Sequence, residues 1–317
     1  MRTILVTGGA GFIGSHVCDK LLSEGERIIC VDNLNAYYDP KFKRKNITHN
    51  LRNKSFKFYK VDITHYNELF KIFSKHKIDS VVHLAARAGV RPSIKNPHIY
   101  ESVNIKGTLN LLDLSRHFKI KNFVFGSSSS VYGVNRKVPF SESDRVIKQV
   151  SPYAVTKRAG ELFCNNYHYL YNLNTVALRF FTVYGPRGRP DMAPYKFTAR
   201  IYHGLPIQMY GDGSSARDYT YVGDIVEGVL SALNKEFGFE IINLGDSKPV
   251  KLKRFIEVVE DAVGRKAIIE QKEMPQGDVP ITYADISKAK RLLGYKPKIK
   301  IEEGIKMFVE WYKNERA

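Results

Sequence analysis

The sequence predicts an α/β protein built on a doubly wound parallel sheet, followed by a smaller α+β lobe at the C-terminal end. Three observations lead there. Short apolar runs alternate with helix-periodic stretches through the first 180 residues, as parallel strands joined by crossover helices demand. The first of those runs, residues 2–7, passes straight into a glycine-rich turn. Polar residues able to do chemistry gather just beyond the C-terminal ends of the runs, where open α/β sheets bind their ligands. A chain of 317 residues suffices for such a sheet and a companion lobe.

After the first strand, Gly8, Gly9, Gly11 and Gly14 match both Gly-x-Gly-x-x-Gly and Gly-x-x-Gly-x-x-Gly. Val17, Leu21 and Leu22 recur with helical spacing over 14–23, and Gly25 ends that helix. These glycines permit a tight turn and let backbone N–H groups, those of the segment carrying Phe12 and Ile13, approach a pyrophosphate. Residues 27–31 make a second strand ending at Asp32, the distance at which an acid meets the adenine ribose of a dinucleotide. A carboxylate there accepts hydrogen bonds from ribose hydroxyls and repels a 2′-phosphate. The following Asn33, Leu34 and Asn35 include no arginine to bind one, so the cofactor read from these residues is NAD. Strand 56–61 ends at Asp62 and Ile63, and strand 80–84 at Ala85 and Ala86, whose small side chains leave room for a cofactor. His83, alone in an apolar run, reads as a packed strand residue rather than a base. Helical patterns over 66–76 and 102–118 flank the fourth strand, a fifth strand over 122–126 runs into Ser127, and a sixth spans 175–180.

Between the last two strands, Ser151 and Pro152 open a helix that places Tyr153 and Lys157 on one face. A phenol is a poor base at neutral pH, but a neighbouring ammonium favours its phenolate, and such a group can take a proton from an alcohol when a hydride acceptor is at hand. Tyr37 and Lys41 share the spacing, yet Asp39 and Pro40 between them argue against a helix there.

Charge and composition limit the alternatives. The chain carries a net charge of +18, and residues 41–60 hold Lys41, Lys43, Arg44, Lys45, Arg52, Lys54, Lys57 and Lys60 without one acid. That stretch reads as a solvated surface segment; nucleic-acid binding is the rival reading, but no recognised motif accompanies it. No apolar run reaches membrane-spanning length, and Met1-Arg2 leads directly into a strand, so a cytoplasmic protein is expected. Cys18, Cys30 and Cys164 show neither metal-ligand nor redox spacing; they read as buried thiols, and no metal is expected. Residues 1–180 are assigned to NAD binding with return segments over about 217–245, including a strand at 240–244. Residues 181–216 and 246–317, with helices over 252–263, 287–293 and 302–312, are assigned to a second lobe that closes a substrate cleft.

Taken together, the 7–14 glycine segment, residues 83–86, the Ser127 to Gly133 stretch, Tyr153 with Lys157, and residues 216–222 resemble the extended short-chain dehydrogenases/reductases, Rossmann-type enzymes, and within them the NAD-dependent nucleotide-sugar epimerases. The resemblance implies Tyr153 as base, Lys157 on the nicotinamide ribose and lowering the Tyr153 pKa, Ser128 on the sugar 4-hydroxyl, and Asn104 near the cofactor. It implies oxidation at sugar C4, a 4-keto intermediate, and hydride return to the other face. Relatives that dehydrate or decarboxylate carry acids where this chain has Ser128, Ser129 and Ser130, so epimerisation is expected. Arg87, Val90, Thr182 and Arg189 lie in segments similar to UDP-glucuronate 4-epimerases, where UDP-glucose 4-epimerases usually have Asn in place of Thr182. Thr182 with the three serines is read as binding the uronate carboxylate through hydroxyls. Arg217 keeps the family position for a UDP phosphate, whereas the segment ending in Asp278 lacks the family arginine, a loss that Arg189 would offset. A homodimer through helices around 104–118 and 156–171 is implied too. UDP-glucose 4-epimerase, UDP-glucuronate decarboxylase and a non-catalytic RNA-binding relative are the alternatives.

Overall fold

The computed structural model describes residues 1–273 and 280–315. Its strands are β1 (Thr3–Thr7), β2 (Arg27–Val31), β3 (Phe56–Tyr59), β4 (Ser80–His83), β5 (Asn122–Ser128), β6 (Asn174–Phe180), β7 (Thr182–Tyr184), β8 (Ile207–Tyr210), β9 (Ala216–Tyr221), β10 (Phe239–Leu244), β11 (Pro249–Lys251), β12 (Ile269–Lys272) and β13 (Ile281–Thr282). Seven of them form one sheet in the order β10-β6-β5-β4-β1-β2-β3, every pair parallel. The order reverses between β1 and β4, which opens a crevice at the carboxyl ends of those two strands.

Both faces of the sheet are buried, and the alternation of side chains along each strand shows it. Ile4, Val6, Ile28, Cys30, Val82 and Val124 pack on one face, with Val17 and Leu21 of the first helix and Ile225 and Val229 of a later one. Leu5, Ile29, Val31, Val81, Phe123 and Phe125 pack on the other, with Leu69, Ile72, Leu111 and Cys164. All three cysteines are buried and free. The Pro152–Tyr171 helix starts as its sequence dictates: the Ser151 side chain accepts from the Ala154 N–H at 3.2 Å and Pro152 occupies the first turn.

Several boundaries differ from expectation for identifiable reasons. Strand β5 runs to Ser128, two residues past its apolar run, because Ser127 and Ser128 pair with Arg179 and Phe180 of β6. The helix expected over 102–118 begins as a π-helical segment, Glu101–Lys106, before turning α-helical over Gly107–His117. Strand β9 does not join the central sheet; it pairs with β7, β11 and β13 in a small second sheet. The helix Ser287–Leu293, assigned to the second lobe from sequence, contributes Ala289 and Leu293 to the core of the main sheet and packs on β10. At that edge strand the Asn243 N–H is met by the Glu142 carboxylate at 2.7 Å. The opposite edge, β3, is flanked by exposed Lys54, Lys57 and Lys60, charges that discourage edge-to-edge pairing. The second lobe has its own core, in which Phe197, Ile207, Tyr219, Phe255, Ile305 and Val309 meet.

His83 is a packed strand residue. Its Nδ1 is 2.7 Å from Thr7 Oγ1 and its Nε2 is 2.9 Å from Thr108 Oγ1, whose own proton goes to the Asn104 carbonyl at 2.6 Å. Thr108 therefore accepts, Nε2 carries the imidazole proton, and Nδ1 accepts from Thr7. Burial lowers the His83 pKa to about 3. The unfolded chain binds this proton below about pH 6.5 and the native chain does not, so stability falls as pH drops through that window. Denaturant titrations at pH 7 and pH 4.5 should show the parent losing about 2 kcal/mol more than His83→Gln over that interval; equal losses would contradict the neutral assignment.

Candidate active site

A cleft of about 800 Å³ runs from the glycine turn, past the ends of β1, β4 and β5, to the second lobe. Gly8 has φ +70°, and a Cβ on it would stand 2.7 Å from the Ala85 nitrogen; one on Gly14 would stand 2.2 Å from the Gly8 oxygen. The turn thus closes onto β4 and onto its own helix only because both are glycine. The helix Phe12–Ser23 has no side-chain cap, which leaves its first N–H groups for an anion. Asp32 accepts from the Leu34 N–H at 2.8 Å and the Ala10 N–H at 3.3 Å, and burial raises its pKa against the opposing pull of Lys43. At the neighbouring strand end, Asn33 donates to Asp62 at 2.6 Å. Gly11, Phe12, Ile13, Ile63, Ala85, Ala86 and Ser127 line the same wall. The tight turn, the open helix end and the strand-end acid fit a dinucleotide.

Beyond that wall stand Ser128, Tyr153 and Lys157. Ser128 Oγ accepts from the Ser130 N–H at 3.2 Å and from Ser130 Oγ at 3.0 Å, capping the short turn Ser129–Tyr132. Burial raises the Tyr153 pKa, while its hydrogen bond with Ser128 and the Arg189 charge lower it. The resemblance implied that Lys157 does the lowering. Here its Nζ instead donates to the Gly126 carbonyl at 2.6 Å and lies 4.9 Å above the Phe125 ring. Burial brings the Lys157 pKa down to about 8.

On the substrate side Val90, Ser129, Ser130, Thr182, Arg189 and Arg217 line the cleft. Arg189 Nε donates to Asp191 Oδ1 at 2.9 Å and its Nη2 to Oδ2 at 2.5 Å, a bidentate pair that holds the Asp191 pKa below its ordinary value. Tyr37 donates to the same carboxylate at 3.3 Å and lies 5.4 Å from the Arg189 guanidinium.

Two expected residues stand elsewhere, and a third is not described. Asn104 is buried behind the wall, where its Oδ1 accepts from the Arg87 N–H at 2.7 Å and its Nδ2 donates to the Arg87 carbonyl and to Thr156 Oγ1, both at 3.0 Å. It shapes the cleft through the backbone rather than by contact. Arg87 stacks behind Tyr37, 5.8 Å from the ring, and is not on the lining. Asp278 lies outside the described residues.

Sequence reasoning missed Tyr37, Lys43, Arg91, Asp191 and Lys196, all on the lining. Tyr37 is no base with Lys41, since Asp39 caps the helix Pro40–Thr48 between them through the Lys41 N–H at 2.9 Å; it enters as a bridge to the second lobe. Lys43 corrects the reading of the basic stretch as wholly solvated: it is buried, donates to the Asn35 carbonyl at 3.1 Å, and shares a helix face with Asn46 and Ile47. That spacing of three and four was a usable signal. Among the described residues no group of His, Cys, Asp or Glu is arranged to hold a metal ion, and no helix is long and apolar enough to cross a membrane.

This sheet, glycine turn and Tyr153–Lys157 helix define an extended short-chain dehydrogenase/reductase fold. The chain belongs to the family described as GDP-mannose 4,6 dehydratase, whose profile matches residues 5–308. It is 48% identical over 314 residues to a UDP-glucuronate 4-epimerase of Thermodesulfobacterium geofontis, covering 99% of this chain and 97% of that one. The solved UDP-glucuronic acid 4-epimerase of Bacillus cereus, in complex with UDP-glucuronic acid and NAD, superimposes with a TM-score of 0.93 at 36% identity over 99% of both chains. The UDP-glucose 4-epimerase of Thermotoga maritima, with UDP-glucose, gives 0.92 at 35% over 100% of both.

Between pH 8 and 10.5 the unfolded chain holds the Lys157 proton that the native chain releases, so parent stability rises with pH there. At pH 7 the buried ammonium is a net cost. Lys157→Met should therefore be about 1–3 kcal/mol more stable than the parent at pH 7 in urea titrations, with the gap closing toward pH 10.5.

Proposed function

We propose that this chain is an NAD-dependent UDP-sugar 4-epimerase whose sugar is glucuronate, interconverted with galacturonate. The observation that carries the reading is the proton chemistry around Tyr153. Its phenol meets the hydroxyl of Ser128, the neighbouring positions are Ser129 and Ser130, and Asp191, the acid on this side of the cleft, is locked by Arg189 with its pKa lowered. A general acid for elimination needs a carboxyl that keeps its proton near neutrality, and Asp191 does not.

Bound NAD supplies the hydride acceptor and donor. Gly8, Gly11 and Gly14 would hold its pyrophosphate, Asp32 its adenine ribose, and Lys157 its nicotinamide ribose. Tyr153 takes the proton of the sugar 4-hydroxyl and returns it after the ring turns over, with Ser128 as the bridging hydroxyl. Arg217 and Lys196 meet the diphosphate, while Thr182, Ser129 and Ser130 hold the sugar carboxylate. We also infer a homodimer through the Pro152–Tyr171 helix, where Val155, Leu162, Tyr169 and Leu170 are exposed, and a cytoplasmic location, in keeping with three free thiols. Glucose is the competing sugar, since the Thermotoga maritima enzyme is nearly as similar in structure.

Incubation with UDP-glucuronate should yield UDP-galacturonate by NMR, faster than UDP-glucose is converted. Tyr153→Phe should cut turnover by about 10²–10⁴-fold, and an undiminished rate would sink the mechanism. Thr182→Asn should shift preference toward UDP-glucose by roughly tenfold, about 1.4 kcal/mol; unchanged preference would remove Thr182 from the specificity argument.

A further inference from the structure

The proposed mechanism leaves one buried ion pair unused. Glu161 is fully buried one helical turn after Lys157, and Arg179 on β6 is 1% exposed. Arg179 Nε donates to Glu161 Oε1 at 2.8 Å and Nη2 to Oε2 at 2.9 Å. Ser127 Oγ donates to Oε1 at 2.7 Å, and Arg158 Nη1 to Oε2 at 2.9 Å. Lys157 and Glu161 thus grip consecutive residues of β5, one through the Gly126 carbonyl and the other through the Ser127 hydroxyl, directly before Ser128. Between them, a Cβ on Gly160 would fall 2.3 Å from the Phe125 ring, so the helix reaches the strand closely enough for both contacts only with glycine there.

We propose that Glu161, oriented by Arg179, is a positioning residue for the reaction: it keeps Lys157 charged and fixes the end of β5 so that Ser128 faces Tyr153. Packing alone would not require a carboxylate, because a buried ion pair gains little over apolar side chains of equal volume. A carboxylate beside a buried ammonium does something an apolar residue cannot, which is to oppose the loss of its proton. Glu161 acts on Lys157 in that sense, against the burial that draws the lysine toward neutrality.

The inference rests on Lys157 serving the site proposed above, and its test reads the lysine separately from turnover. Competitive acetylation followed by peptide mass spectrometry over pH 6–11 gives the Lys157 pKa, and kcat against pH gives its effect. Glu161→Gln should lower the Lys157 pKa by about one unit and move the alkaline limb of kcat down in parallel, with KM for the sugar little changed. Glu161→Gln combined with Arg179→Met removes both charges and is measured the same way should the single variant not fold. Glu161→Asp should restore part of the shift. A parental Lys157 pKa in a folded variant overturns the proposal, and so does a lower kcat with an unmoved pH profile, which would mark a merely structural pair. A chain that converts no UDP-sugar would defeat the function above while leaving the lysine titration readable.

Discussion

The cleft exists because a buried carboxylate fastens the second lobe to the sheet. Asp218 on β9 is fully buried and accepts from the Asp246 N–H at 2.7 Å, the Ser247 and Ala284 N–H groups at 3.0 Å each, and Thr220 Oγ1 at 3.1 Å. Those donors come from the turn after β10, the strand-like segment near β13, and β9 itself. Burial raises the Asp218 pKa and the hydrogen bonds lower it, so the site is satisfied only when all segments are in place. Its neighbours Arg217 and Tyr219, two residues apart, share the strand face opposite Asp218, where Arg217 lines the cleft and Tyr219 enters the lobe core.

Asn243 plays the matching part on β10. Its amide donates to the Phe140 and Asp285 carbonyls at 2.9 and 3.2 Å and accepts from Tyr132 Oη at 2.7 Å, which anchors the segment after Ser130. Tyr132 in turn lies under the Arg179 guanidinium at 4.7 Å. The lobe attachment, the serine turn and the buried ion pair are therefore one connected polar core beneath the cleft. Members of such a network orient one another, which ties the placement of Ser128 to contacts far from it.

The excess positive charge divides along the same lines. Lys43, Arg91, Arg189, Lys196 and Arg217 surround the cleft, a field suited to a polyanionic nucleotide sugar and to drawing it in. Most of the 41–60 stretch is exposed instead and guards the β3 edge. One run of sequence thus carries both functions, and composition alone had no means to separate Lys43 from its neighbours.

By itself the sequence determined whatever depends on local geometry and short-range spacing. The parallel sheet, the Gly8 to Gly14 turn, Asp32 at its strand end, and Tyr153 with Lys157 on one helix were all legible, because strand and helix periods place those residues without reference to distant partners. Tertiary structure alone decided what depends on contacts between different elements, from 18 residues apart for Arg179 and Glu161 to 154 for Tyr37 and Asp191. Tyr37 reaches Asp191, Asn243 meets Phe140, and Arg179 turns inward to Glu161 through pairings that no local pattern encodes. Asn104 shows the difference within one residue. Its neighbourhood was readable from sequence, but its role depends on where the Arg87 backbone passes, and only the packed fold puts that backbone within 2.7 Å of its side chain.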